Sequence, residues 1–230
     1  MPVAGPVIFL LLIPCISPAQ DSASLSVTSR WQEYRQQVKD DPAKQMVELK
    51  RSIPGLVYDL RYAGTNNFMH RRMYPAGTAV TFLRLPAAKA LQQVQDELKG
   101  QGMGLMIFDA YRPYAVTVKF WELVGDERYV ANPAKGSGHN RGIAVDLTVI
   151  DLHTGRELDM GTGFDNFSDT AHHAFTGLPH DVLQNRKWLR ATMEKYGFKA
   201  LETEWWHYYL PDAARFEVLD IAFHQFKKSL

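Results

Sequence analysis

The stretch Ser137-Gly138-His139-Asn140-Arg141-Gly142-Ile143-Ala144-Val145-Asp146 is answered far downstream by Glu204-Trp205-Trp206-His207. Ile143, Val145, Leu147 and Val149 alternate with Ala144, Asp146 and Thr148. That alternation predicts a strand with one apolar face and a second face carrying the aspartate. His139 lies an odd number of positions from Asp146, so a continuous strand would send the two to opposite faces. Gly142 is the residue able to turn or bulge the chain and bring His139 round. Glu204 and His207, three apart in an aromatic run, pose the same problem; either the run bends or one of them sits at its end. The two stretches supply two imidazoles, one carboxylate ligand and one spare carboxylate. These are the minimum parts of a hydrolytic zinc centre, with three protein ligands, an open position and a separate base. A lone histidine in a strand is more often a hydrogen-bonded core residue than a ligand.

Working outward, Trp31, Tyr34 and Val38 recur at helical spacing before Asp41-Pro42. Val47, Leu49 and the run Val57 to Tyr62 read as strands. Leu85, Ala88, Leu91, Val94 and Leu98 form a helical stripe closed by Gly100 and Gly102. A short buried strand, Leu105 to Phe108, precedes a helix that begins at Pro113 and ends at Gly125. His153-Thr154-Gly155 is expected to turn the strand of Asp146 back towards Glu157-Leu158. A helix from Asp181 to Tyr196 and one long strand from Lys199 to Tyr209 complete the reading. Helices and strands mix without regular βαβ alternation. The prediction is a single α+β domain: a largely antiparallel sheet, flanking helices and a zinc site on the sheet.

The chain has 230 residues, 46% apolar and 22% charged, which suits one well-buried core rather than a disordered chain. A net charge of +1, with no Lys/Arg stripe, gives no reason to expect nucleic acid. Val7 to Ile13 is continuously apolar, Pro14 breaks it, and Ser17-Pro18-Ala19 offers small residues for a signal peptidase, although no Lys or Arg precedes the run. The apolar run is far shorter than the roughly 20 residues of a spanning helix. Residues 1–19 are therefore expected to be a cleaved signal peptide, 20–45 a leader and helix, and 46–230 the enzymatic domain, with the mature protein periplasmic or secreted. Cys15, the only cysteine, would leave with the leader. Pro14 before it disfavours a lipid anchor, and the mature chain would form no disulfide.

The Ser-x-His-x-x-Gly-x-Ala-x-Asp and Glu-x-x-His pair resembles the D-alanyl-D-alanine dipeptidases, zinc enzymes of the D-Ala-D-Ala metallopeptidase group. Further stretches resemble that family in the same order: Tyr62 with Asn67-Phe68, Asp109-Ala110-Tyr111-Arg112-Pro113, Met160-Gly161 with Phe164-Asp165, and His172-His173. The resemblance runs from about Val57 to Tyr209. It departs from the cytoplasmic members in the export leader and the longer N-terminal helix, and in Gly138, where a second serine is common. It implies one zinc held by His139, Asp146 and His207, an activated water as nucleophile, Glu204 as general base and acid, and Arg112 opposite the developing oxyanion. Asp165 is the implied partner of a substrate ammonium, with Tyr62, Ser137 and Asp109 as further contacts. Without the family, Arg112 reads equally as a salt-bridge partner of Asp109, and Asp165 as a turn residue. His172 and His173 stay outside the metal shell, either orienting ligands or ending a helix. The implied substrate is the dipeptide D-Ala-D-Ala. A D,D-carboxypeptidase or endopeptidase acting on peptidoglycan stem peptides is the second enzymatic reading, and a catalytically silent wall-binding module the non-enzymatic one.

Overall fold

The computed structural model describes Met1 and residues 25–227, so the expected export leader and Cys15 lie outside the described residues. The described chain enters through a short strand, β1 (Val27–Thr28), and the predicted amphipathic helix, α1 (Trp31–Asp40). Strand β2 (Met46–Glu48) passes directly into one helical turn, α2 (Leu49–Ser52), which takes Leu49 out of the expected strand. Strand β3 covers only Val57–Tyr58. The strand expected to reach Tyr62 stops because Arg61–Ala63 close a 3-10 turn, with Ala63 N donating to Leu60 O at 3.0 Å. Strand β4 (Phe82–Arg84) runs into α3 (Leu85–Lys99), whose Leu91, Val94 and Leu98 are fully buried.

Strand β5 (Met103–Asp109) follows, then α4 (Tyr114–Val124), with Pro113 at its N-cap and Gly125 at its C-cap. The single turn α5 (Gly138–Arg141) leads into β6 (Ala144–Asp151). Helix α6 (His180–Lys195) matches the predicted helix to within a residue. The expected long strand from Lys199 to Tyr209 is instead a hairpin of β7 (Lys199–Leu201) and β8 (Glu204–Tyr209). Two short elements, β9 (Val218–Leu219) and α7 (Phe223–Lys227), end the described chain.

The main sheet has five strands in the order β3-β5-β6-β8-β7, and only the β3–β5 pair is parallel. This is the largely antiparallel α+β domain expected from helices and strands that mix without regular βαβ alternation. Val145, Leu147 and Val149 on one face of β6 join Leu91, Val94 and Leu98 of α3 and Leu189 and Met193 of α6 in one apolar cluster. The opposite face puts Asp146 directly across from Asp109 on one side and His207 on the other. A second cluster, rich in aromatics, gathers Tyr34, Tyr62, Phe82, Tyr111, Phe120 and Phe226. The first cluster holds the strand that carries the aspartate by Val145, Leu147 and Val149, which fixes its register.

Within the β7–β8 hairpin, Leu201 pairs with Glu204, but Ala200 pairs with Tyr208. Residues 205–207 therefore bulge, and Glu204 sits at the strand's start. Leu147 is fully buried beneath α3 and α6. Leu147→Ala is expected to lower the unfolding free energy by about 2–5 kcal/mol, measured by urea denaturation. A loss below about 1 kcal/mol would mean that the space beneath the helices collapses on the smaller side chain.

Candidate metal centre and cleft

His139 reaches the site because α5 is one helical turn held at both ends. Ser137 Oγ accepts from Asn140 N at 3.1 Å, and Asn140 Oδ1 accepts from Ser137 N at 3.0 Å, a reciprocal capping box. Gly142 then takes a left-handed conformation, φ +69°, and reverses the chain into β6. This is the turn that the odd spacing of His139 and Asp146 requires. A Cβ at Gly142 would lie 2.7 Å from Met46 Sδ, near the end of a flexible side chain, so it is the positive φ that favours glycine there. Gly138, where a second serine would project, packs so closely that a Cβ would stand 2.8 Å from Ala144 Cβ.

His139 Nδ1 donates to Ala110 O at 2.7 Å. A carbonyl can only accept, so in the neutral ring this contact puts the proton on Nδ1 and the lone pair on Nε2. That Nε2 lies 3.3 Å from Asp146 Oδ2 and 3.3 Å from His207 Nδ1. His207 Nδ1 is 2.8 Å from Asp146 Oδ1. One ligand atom from each of the three residues falls within 4.8 Å of the others. Two imidazole nitrogens and a carboxylate oxygen converging on one point fit zinc, which takes N and O ligands tetrahedrally. Burial alone would raise the Asp146 carboxyl, but the imidazoles of His139 and His207 outweigh it and hold it well below the usual range. For His207, burial pulls downward and Asp146 prevails, leaving its pKa raised.

Glu204 stands just outside this cluster, with Oε2 3.8 Å from His207 Nδ1. Burial pushes its pKa up despite the pull of His207. Arg112 follows the end of β5 and is nearly buried. Its Nε and Nη2 donate to Asp109 Oδ2 at 3.1 and 2.8 Å. Its guanidinium carbon lies 5.1 Å from the Tyr62 ring centre and 4.8 Å from that of Phe120.

Asp109 is fully buried and receives Tyr74 Oη on its other oxygen at 2.5 Å. The structure thus places Asp109 behind Arg112, apart from the residues that line the cleft. Asp165 adopts φ +60°, a conformation uncommon for a non-glycine residue. Its two oxygens accept from Tyr62 Oη at 3.0 and 3.2 Å. Although one edge is exposed to the cleft, enclosure by protein, and then the charge of Asp146, push its pKa up to about 8.

These side chains line one cavity of about 290 Å3, shared with Phe68, Tyr129, Phe167 and Trp206. Of the residues named from sequence, the cavity brings together Tyr62, Arg112, Ser137, His139, Asp146, Asp165, Glu204 and His207. His172 and His173 do not belong to the His139–Asp146–His207 cluster. His173 N donates to Glu202 O at 2.9 Å, tying its loop to the β7–β8 turn, and burial lowers its imidazole pKa to about 4.

Sequence reasoning missed three supporting residues. Asn140, fully buried, donates to Arg112 O at 2.9 Å and to Thr117 Oγ1 at 2.8 Å, joining the histidine turn to the arginine turn. The Ser-x-x-Asn spacing was a readable capping signal. Tyr74 and Phe120 left no comparable local trace.

A family model described as "D-ala-D-ala dipeptidase" matches residues 42–229. A D-alanyl-D-alanine dipeptidase of Escherichia coli (strain K12) is 35% identical, over 76% of this chain and 89% of its own length. One from Enterococcus faecium is 33% identical, over 71% of this chain and 90% of its own. Another, from Streptomyces coelicolor (strain ATCC BAA-471 / A3(2) / M145), is 32% identical, over 70% and 88%. The chain belongs to the D-Ala-D-Ala dipeptidase family of zinc metallopeptidases.

Proposed function

We propose that the protein hydrolyses free D-alanyl-D-alanine to two molecules of D-alanine. The observation that carries this reading is the Asp165 carboxyl, held by Tyr62 and enclosed in the same cavity as the His139–Asp146–His207 cluster. A free dipeptide presents an ammonium, which an amide-blocked stem peptide lacks. An enclosed carboxyl with a raised pKa regains its charge when a cation arrives, so it rewards an ammonium and penalises a blocked end. The names of the relatives point to the same substrate. With the export leader read over residues 1–19, the proposal extends to a periplasmic or secreted enzyme.

His139 Nε2, the Asp146 carboxylate and His207 Nδ1 would hold the zinc. Bound there, zinc supplies Lewis acidity, polarising the scissile carbonyl and bringing the pKa of a water towards neutrality. Glu204 takes the proton of the water as its oxygen bonds to the carbonyl carbon. It returns that proton to the amide nitrogen as the C–N bond breaks, and its raised pKa suits a group that must hold a proton between two steps. Arg112 has two of its nitrogens committed to Asp109, which leaves Nη1 to meet the oxygen on which negative charge develops. Tyr62 and Asp165 fix the amino end, so the peptide bond cannot slide along the cleft.

Zinc-loaded protein is expected to release D-alanine from D-Ala-D-Ala, to stop when a chelator is added, and to spare N-acetyl-D-Ala-D-Ala. Equal cleavage of the acetylated peptide would move the protein to the carboxypeptidase side. Glu204→Gln should retain zinc while losing about 10²- to 10⁴-fold in kcat; a wild-type rate would remove Glu204 from the chemistry, and no rate in either protein would favour a silent wall-binding module. Asp165 also gives the stability a pH signature. Its folded value of about 8 exceeds that of an unfolded aspartate, so its protonated form contributes stability below about pH 4 that is lost as the pH rises through about 8. In chelator-stripped protein, the melting-temperature advantage of Asp165→Asn over wild type should grow across that window and level off above it. Parallel melting curves from pH 4 to 9 would rule out a proton held on Asp165.

A further inference from the structure

The geometry points to Arg84 as the positioning residue of the metal centre, acting through the turn that carries His139. This rests on the reading of His139 as a zinc ligand. Arg84 ends β4, and its side chain is completely buried. Its backbone N donates to Gly142 O at 2.7 Å, and its side-chain Nε donates to Arg141 O at 3.0 Å. Arg141 O is the last carbonyl of α5, at the helix end where a cation is favoured, and Gly142 O belongs to the reversal that follows it. The other two guanidinium nitrogens donate to Lys44 O and, at 3.2 Å, to Glu217 O. Glu217 adds its carboxylate, with Oε2 3.7 Å from Arg84 Nη2 and Oε1 paired with Lys44.

A four-residue helix cannot maintain itself, because forming one hydrogen-bonded turn is unfavourable without outside support. The capping box supplies support at the N-terminal end of α5 and Arg84 supplies it at the C-terminal end. The same guanidinium joins the segment before β2 and the segment before β9 to that turn, so three distant pieces of chain meet on one planar group. No other side chain among the described residues donates to the Arg141 carbonyl. Arg84 also lies flush against the reversal itself: a Cβ on Gly142 would be 3.3 Å from Arg84 Cγ. A rotation of α5 that moved His139 Nε2 away from Asp146 and His207 would break the Arg84 contacts together with the bond of His139 Nδ1 to Ala110 O. Arg84 touches neither substrate nor metal, and its contribution is to hold the imidazole in place before either arrives.

The test compares Arg84→Lys and Arg84→Gln with Leu98→Ala, a core variant that loosens the fold from α3. Zinc dissociation constants are measured by competition with a chromophoric chelator, and melting temperatures on the stripped full-length proteins. Both Arg84 variants are expected to bind zinc about tenfold or more weakly than wild type. Leu98→Ala should keep wild-type zinc affinity at a comparable fall in melting temperature. Arg84→Lys retains the buried charge beside Glu217 and carries the test should Arg84→Gln not fold. Wild-type zinc affinity in Arg84→Lys would overturn the proposal, as would an equal loss of affinity in Leu98→Ala. Failure of the wild type itself to bind zinc would instead overturn the ligand reading, and the Arg84 proposal with it.

Discussion

The structure turns on the cross-strand pair of Asp146 and His207, whose side chains meet at 2.8 Å in the interior of a five-stranded sheet. A carboxylate and an imidazole in such a place are costly to desolvate and are tolerated only when paired. Pairing needs a fixed register, because a slip of one residue would turn both side chains to the apolar face. The large cluster beneath α3 and α6 prevents that slip. The apolar core therefore acts on the chemistry through strand register, although none of Val145, Leu147 or Val149 faces the cleft.

Around this pair, functional groups come from segments too short to be stable alone, each held by contacts from elsewhere. His139 rides on a single turn that a capping box secures at one end. Tyr62 rides on a 3-10 turn, and Asp165 on a loop residue with positive φ. Arg112 is oriented by Asp109, which is itself bonded to Tyr74, and Tyr62 and Phe120 enclose the guanidinium. Strained or short elements at a site are maintained when the surrounding structure over-determines them. Here the aromatic cluster and buried hydrogen bonds do so.

Much of the fold was legible in the sequence. The alternation through β6 placed Asp146 on its face, the stripe from Leu85 to Leu98 gave α3, and Pro113 and Gly125 bracketed α4. Gly142 was readable as the reversal that the odd spacing of His139 and Asp146 demanded. Two strands were read too long. From Val57 to Tyr62 the composition is that of a strand, yet Leu60 O closes a tight turn with Ala63 N. From Lys199 to Tyr209, the aromatic residues of β8 obscured the Glu202-Thr203 turn, which contains none of the usual glycine or proline signals.

The sequence by itself determined the ligand chemistry and the antiparallel α+β plan. Residue type and local period suffice for both, because a strand's side chains alternate whatever surrounds it and residue type fixes which donor atoms a side chain can offer. Only the tertiary structure decided that Asp109 stands behind Arg112 and that Asp165 is enclosed with Tyr62. Those outcomes depend on which distant segments meet, and on how much water each carboxylate keeps when they do. Contacts such as Arg84 with Lys44, Arg141 and Glu217 leave no local pattern to read, since the carbonyls they use are present on every residue of the chain.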